Sequence, residues 1–361
     1  MTTTAAPIAA RSPYIVSPGF DAVFFFGSTA SVLMAWAAAS LFHVNGFYVL
    51  AAVAVVSNGP HLVATWTRVY FDKREWRKRP WQIFLGPVVI TAAVVAVLQG
   101  MGFKGSRVLN TALLYWAVWH FVQQNWGLLR IYQKRSGEPD SSWALRLERP
   151  MLYVFVAWCM LHRLQTGPRR LFGTEVYYVP IPLWAVNVLL VVSCLLAAAW
   201  IVLRLREGRV AWTTSALLRG GFLACAALGF FVPFLLITTD DTSGFAAAAC
   251  WHGLQYIGIV HFYHRNAWKG GVHPDARLVS WLTQPGWLRL FGFAVLLWAL
   301  AASGYGVIYV GSLLTRGTSW NIYTWGSVVW LSLTFSHYYL DGVIWKISRD
   351  PKVAQRLAVA A

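Results

Sequence analysis

The chain has 361 residues, of which 58% are hydrophobic and only 12% charged, and it carries 21 Trp; soluble domains are about 25% charged and about 45–50% apolar. That balance excludes an ordinary soluble domain and indicates an integral membrane protein. The net charge of +17 does not indicate nucleic acid, because the basic residues form short clusters between apolar runs instead of lining one face.

In chain order, residues 1–19 form a polar tail without the continuous apolar core of a cleavable signal peptide, so the first apolar run is expected to act as an uncleaved anchor. Runs long enough to cross a hydrocarbon core, about 20 residues each, follow at 20–41, 46–70, 82–103, 108–131, 150–165, 180–204, 212–238, 244–267, 287–312 and 320–346, the fifth being short enough to be re-entrant. The connections after the even-numbered runs, among them RVYFDKREWRKRP, RLREGR and WKISRDPKVAQR, carry most of the basic charge. By the positive-inside rule both termini are then cytoplasmic. The expected fold is all-α: a polytopic bundle of about 10 spans in a bacterial-type inner membrane, with one domain over 20–347 and cytoplasmic tails at 1–19 and 348–361. The four cysteines are far apart, without CxxC spacing, and are expected to be free.

Ionisable residues inside spans are costly and mark candidate sites. His43, His162 and His273 fall at span ends or in a loop and read as solvated. The other six lie in even-numbered spans. His61 is seven residues before Arg68, His120 ten before Arg130 and His337 nine before Lys346, which puts all three at a depth of about 10–15 Å. His261 is nearer the basic end, with His264 a turn beyond it, and His252 is deeper. Four helices thus offer imidazoles to one layer in the cytoplasmic half of the membrane, although depth alone does not make their faces converge.

Spacing adds partners. His337 and Asp341 are four apart, His261 and His264 three, and His120 has Gln123 and Gln124 three and four positions on, which puts each set on one helix face. A metal-bound imidazole needs a partner for its other nitrogen; Asp341, Gln124, Asn58 and Asn125 are candidates. Asp341 is either that partner or a ligand itself, and spacing does not choose. Imidazoles with a carboxylate and no thiolate suit iron, zinc, copper or nickel, and a dry site reached from lipid favours non-haem iron. Two bis-histidine haem sites are the alternative, and a proton-coupled transporter with a histidine relay is a third reading.

The order of these motifs resembles the bacterial membrane-embedded β-carotene dioxygenases of the Brp/Blh type. SNGPH at 57–61, VWHF at 118–121, IVHFYHR at 259–265 and SHYYLD at 336–341 are similar to that family's four histidine motifs. The resemblance implies a non-haem iron centre held by His61, His120, His261 or His264, and His337, acting with oxygen on a carotenoid. This chain departs from the family at Thr65 and Asn125, where the motifs have Asp, and in the closer spacing of His261 and His264.

The leading expectation is a membrane oxygenase that uses O2 on a lipophilic isoprenoid, carotenoid or acyl-chain substrate. Its metal ligands are drawn from His61, His120, His252, His261, His264, His337 and Asp341, with His252 and Gln255 forming a deeper pair. Asp341 and Tyr338 are the candidate catalytic residues. Tyr115, Trp116, Trp119 and Trp126 around His120, and Tyr338 and Tyr339 after His337, are candidates to line a substrate tunnel, and the basic RVYFDKREWRKRP loop is a candidate dock for an electron donor or an anionic lipid.

Overall fold

The structure is a computed structural model, and it describes residues 12–136, 142–207, 213–238, 241–346 and 350–357. Helices carry almost all of it: α1 Pro18–Leu41 and α2 Gly46–Val69, the short α3 Lys73–Lys78, α4 Gly86–Ser136, α5 Trp143–Thr166, α6 Leu183–Arg206, α7 Thr214–Leu236, α8 Asp241–Ala267, α9 Arg277–Leu282, α10 Trp287–Leu314, α11 Ile322–Ile344 and α12 Pro351–Arg356. A two-stranded hairpin, Arg170–Leu171 with Thr174–Glu175, follows α5. All-α is therefore the observed class, and the four cysteines are free.

Among the described residues, six helical stretches are long and apolar enough to cross a membrane: α1, α2, Trp81–Arg135 (which contains most of α4), α6, α7 and α10. The expected count of ten is not reached on that criterion. The predicted runs at 150–165, 244–267 and 320–346 are helical, as α5, α8 and α11, but less apolar; α8 and α11 devote positions to imidazole, carboxylate and hydroxyl groups. The Trp81–Arg135 stretch has 55 residues, about 80 Å if straight, against a hydrocarbon core of about 30 Å. It is not straight. Gly102 has φ 54° and ψ −127°, and a side chain at Gly105 would fall 2.3 Å from the carbonyl oxygen of Val97. Eight residues along a straight helix span about 12 Å, so the chain folds back here, where only glycine tolerates both the positive φ and the close approach.

The centre of the bundle is α8, which is buried along most of its length and packs against α1 and α2. The arm of α4 after Gly102 lies along α11, and α10 lies across both α2 and α11. The helices α2, α4, α8 and α11 all run toward the end that carries Arg68, Arg130, Arg265 and Lys346. The pairing of His61 with His337 and of Arg68 with Ile344, of His61 with His252 and Arg68 with Tyr263, and of His120 with His252 and Gln124 with Gln255, shows this parallel arrangement, and it decides the shape of the site.

α2 bends just before its histidine. Ala54–Asn58 form a π-helical turn, and Pro60, lacking an N–H, cannot continue the bonding pattern. The Val55 carbonyl that it leaves is taken instead by the indole N–H of Trp298, at 2.9 Å. π-Turns of this kind recur at functional sites because they re-aim the side chains that follow. Here the next side chain is His61.

Candidate metal centre

His61, His120, His252 and His337 come from α2, α4, α8 and α11 and form a closed square. Ring centroids are 4.7 Å apart for His61 and His337, 5.1 Å for His61 and His252, 4.9 Å for His120 and His252, and 5.1 Å for His120 and His337. Each contact is edge-to-face. His61, His252 and His337 are buried, and His120 is nearly so.

The Nε2 atoms of all four rings are buried without a hydrogen-bond partner. An unsatisfied buried polar atom costs about 1–3 kcal/mol, so four in one place require an explanation. Ligand atoms of His61, His252 and His337 lie within 4.8 Å of one another, and so do those of His120, His337 and Asp341. His337 belongs to both groups, which makes the five side chains one continuous donor set. Asp341 Oδ2 is 3.7 Å from the Nε2 of His120 and of His337, too far for hydrogen bonds.

Their other atoms are held. His61 Nδ1 donates to the Asn58 carbonyl at 2.8 Å, which leaves Nε2 with its lone pair. His337 Nδ1 lies 2.7 Å from Thr65 Oγ1, Thr65 Oγ1 donates to Asp341 Oδ1 at 3.0 Å, and Tyr256 OH donates to the same oxygen at 2.6 Å. Thr65 Oγ1 also lies 2.7 Å from Tyr256 OH; with its single hydrogen directed to Asp341 or Tyr256, Thr65 accepts from His337 Nδ1, and the His337 Nε2 is also a lone pair. Trp345 donates its indole N–H to Tyr256 OH at 3.1 Å. Asp341 thus receives two hydrogen bonds on Oδ1 and keeps Oδ2 toward the imidazoles. Imidazoles and carboxylates fixed in this way by outer hydrogen bonds are the usual support of a metal ion.

The network has a rule behind it. Each histidine has a polar residue four positions on: His61 and Thr65, His120 and Gln124, His252 and Tyr256, His337 and Asp341. Four residues keep a side chain on its face and move it about 6 Å along the axis. Because the four helices are parallel, the four partners form a second layer on the same side of the first. Thr65, Tyr256 and Asp341 meet there, and Gln124 bonds the His252 carbonyl at 3.1 Å and Gln255 Oε1 at 3.2 Å. Beyond it, Arg68 is fully buried between the rings of Tyr263 and Trp345, 4.0 Å from each, and donates to the Ile344 carbonyl at 2.7 Å.

His261 and His264 are not brought into the square. From His252 to His261 is nine residues, about two and a half turns and 14 Å, so the two point to opposite sides of α8. His261 packs on Phe20 and Phe293, and His264 Nε2 meets Thr67 Oγ1 at 3.0 Å. The pair expected among the ligands thus lies away from the square, and His252, expected to be deeper, is the α8 histidine that stands in it. Of the partners expected, Asn58 serves through its backbone, and Asn125 donates to the Phe121 carbonyl of its own helix. Thr65, Tyr256 and Trp345 were missed as site residues, although the recurring spacing of four in parallel helices points to the first two.

A cavity of about 440 Å³ reaches the site, lined among others by Trp116, Trp119, His120, Tyr338 and Asp341. Tyr338 lies over the His120 ring with centroids 4.5 Å apart. Tyr339 faces away, against Gly86, and Trp251 packs on Phe230, so neither is at the site. No protein-family model matches the chain, and comparison with curated proteins and with solved structures finds no match.

Proposed function

We propose that this protein is a membrane oxidoreductase holding non-haem iron with His61, His120, His252, His337 and Asp341, and that it acts with O2 on a lipophilic substrate, an isoprenoid or an acyl chain. The observation that carries the reading is the square of four imidazoles whose Nε2 atoms are buried without a partner, with a carboxylate oxygen 3.7 Å from two of them. Imidazoles with one carboxylate suit a borderline metal, and iron is the one whose chemistry matches a lipid-side cavity. Bound there, iron supplies the one-electron steps that ground-state oxygen needs in order to react with a closed-shell hydrocarbon.

The chain's own groups do the rest. The Asn58 carbonyl and Thr65 fix His61 and His337 as Nδ1–H tautomers. Tyr256 and Thr65 hold Asp341 so that one oxygen stays on the metal side. Tyr338 and the indoles of Trp116 and Trp119 line the cavity beside His120 and keep water from the reacting carbon. The resemblance to the β-carotene dioxygenases supports the reading at His61, His120 and His337, with His252 in place of the later pair.

A haem fits the square less well, because a macrocycle needs a flat slot between its axial imidazoles and these rings touch edge to face. In this reading the chain crosses a bacterial inner membrane about ten times, with both termini and the site toward the cytoplasm, consistent with the basic end shared by α2, α4, α8 and α11.

The test is the metal content and optical spectrum of detergent-purified protein, followed by incubation with 18O2 and extracted lipids. Iron without a Soret band, and labelled oxygen in a lipid product, are expected. A Soret band moves the assignment to haem, and neither metal nor pigment moves it to transport.

A further inference from the structure

The cavity that reaches Asp341 is closed at the basic end and open at its side. It follows one face of α4 from Trp116 to Ile131, fifteen residues or about 22 Å. At the basic end it meets Leu128, Ile131 and Leu357, which are 2%, 3% and 1% exposed. On its flank Trp116 and Trp119 are 38% and 55% exposed, at positions inside a stretch apolar enough to cross the membrane. What they face is lipid.

Two glycines stand on the same wall, Gly127 of α4 and Gly342 of α11. Neither has any atom within 4 Å of the position a Cβ would take, so neither is there to let a neighbour approach. Glycine inside a helix costs about 0.5–1 kcal/mol relative to alanine, and what the two provide in return is open space beside the site.

We infer that the cavity is a side-opening slot that takes a flat, linear hydrocarbon chain directly from the bilayer, with Gly127 and Gly342 setting its width. The slot runs along a membrane-crossing helix, the direction in which lipid chains already lie, so a chain enters by moving sideways without turning. Leu357 stands at the basic end, and among its described lining residues the slot has no lysine or arginine to hold a head group. The inference rests on the proposed function for the reaction that follows, and stands apart from it for binding.

Full-length protein in phosphatidylcholine nanodiscs, titrated with trans-parinaric acid and read by energy transfer from tryptophan, tests it. Gly127→Phe and Gly342→Phe are expected to weaken probe binding at least tenfold with bound metal unchanged. Gly326→Phe, which also points into open space but does not line the slot, is expected to bind as the wild type does and controls for folding. The sterol dehydroergosterol, rigid and broad, is expected not to compete. Unchanged binding in both Phe variants, an equal loss in Gly326→Phe, or equal competition by the sterol overturns the inference. Slot-dependent binding in protein that holds no metal would sink the proposed function and leave the slot standing.

Discussion

Replacing His252 by leucine should stabilise the metal-free protein and lose most of that advantage once metal is bound. Both ring nitrogens of His252 are buried without a partner, at about 1–3 kcal/mol each, so without metal the ring costs on the order of 2–6 kcal/mol. Leucine is of similar size and has no polar atom. Its main loss is the stacking on Phe121, where ring centroids lie 4.3 Å apart, which is about 0.5–1.5 kcal/mol. Chelator-treated His252→Leu should therefore be more stable than chelator-treated wild type, by roughly 1–5 kcal/mol. With ferrous iron at about a hundred times its dissociation constant, the wild type gains about 2.7 kcal/mol by mass action and the variant gains nothing. The assay is thermal unfolding in detergent, anaerobically, with chelator or with iron, alongside metal analysis. His261→Leu, on the opposite face of the same helix, should keep its metal. If His252→Leu is the less stable protein under chelator, or retains metal, the four-histidine centre is wrong.

Tyr256→Phe removes one of the two hydrogen bonds on Asp341 Oδ1 and leaves the Trp345 indole without an acceptor; metal affinity, measured by competition with a chromophoric chelator, should fall about 10–100-fold. Thr65→Val keeps the shape but takes away both the acceptor for His337 and the second donor to Asp341, with a loss of the same order; because both act on one oxygen, the double variant should lose less or more than the sum but not the sum itself. Outside the membrane, Asp350 is raised by its partial burial but held below the usual carboxylate range by the hydrogen bond and charge of Lys78 and the N–H groups of Lys352 and Val353. Its contribution is then complete above the unfolded value of about 4 and is lost only as the pH falls through the lower, folded one. α12 should accordingly stay docked at pH 5 and loosen in stronger acid, and Asp350→Asn should expose the C-terminal tail to protease already at pH 7.

Composition and run length made the helical class legible, because a chain this apolar has no other way to satisfy its backbone in lipid than helices or a closed barrel, and its runs are of helical length. The polar residues inside those runs were equally legible as a site: His61, His120, His337 and Asp341 stand out by cost alone. The alternation of basic connections leads to the expectation that α2, α4, α8 and α11 are parallel, their contacts run that way, and the repeated spacing of four then stacks a hydrogen-bonding layer on the imidazoles. What depth could not supply was the azimuth of each helix. Matching depth favours His261 over His252, yet the rotation of α8 about its own axis is fixed by what packs on its other faces, with Phe20 and Phe293 receiving His261 and Gly253 letting His61 come close. Those contacts join residues from 32 to 241 positions apart. The residue types and their spacing were set by the chain alone; which face of each helix looks inward was decided only by packing.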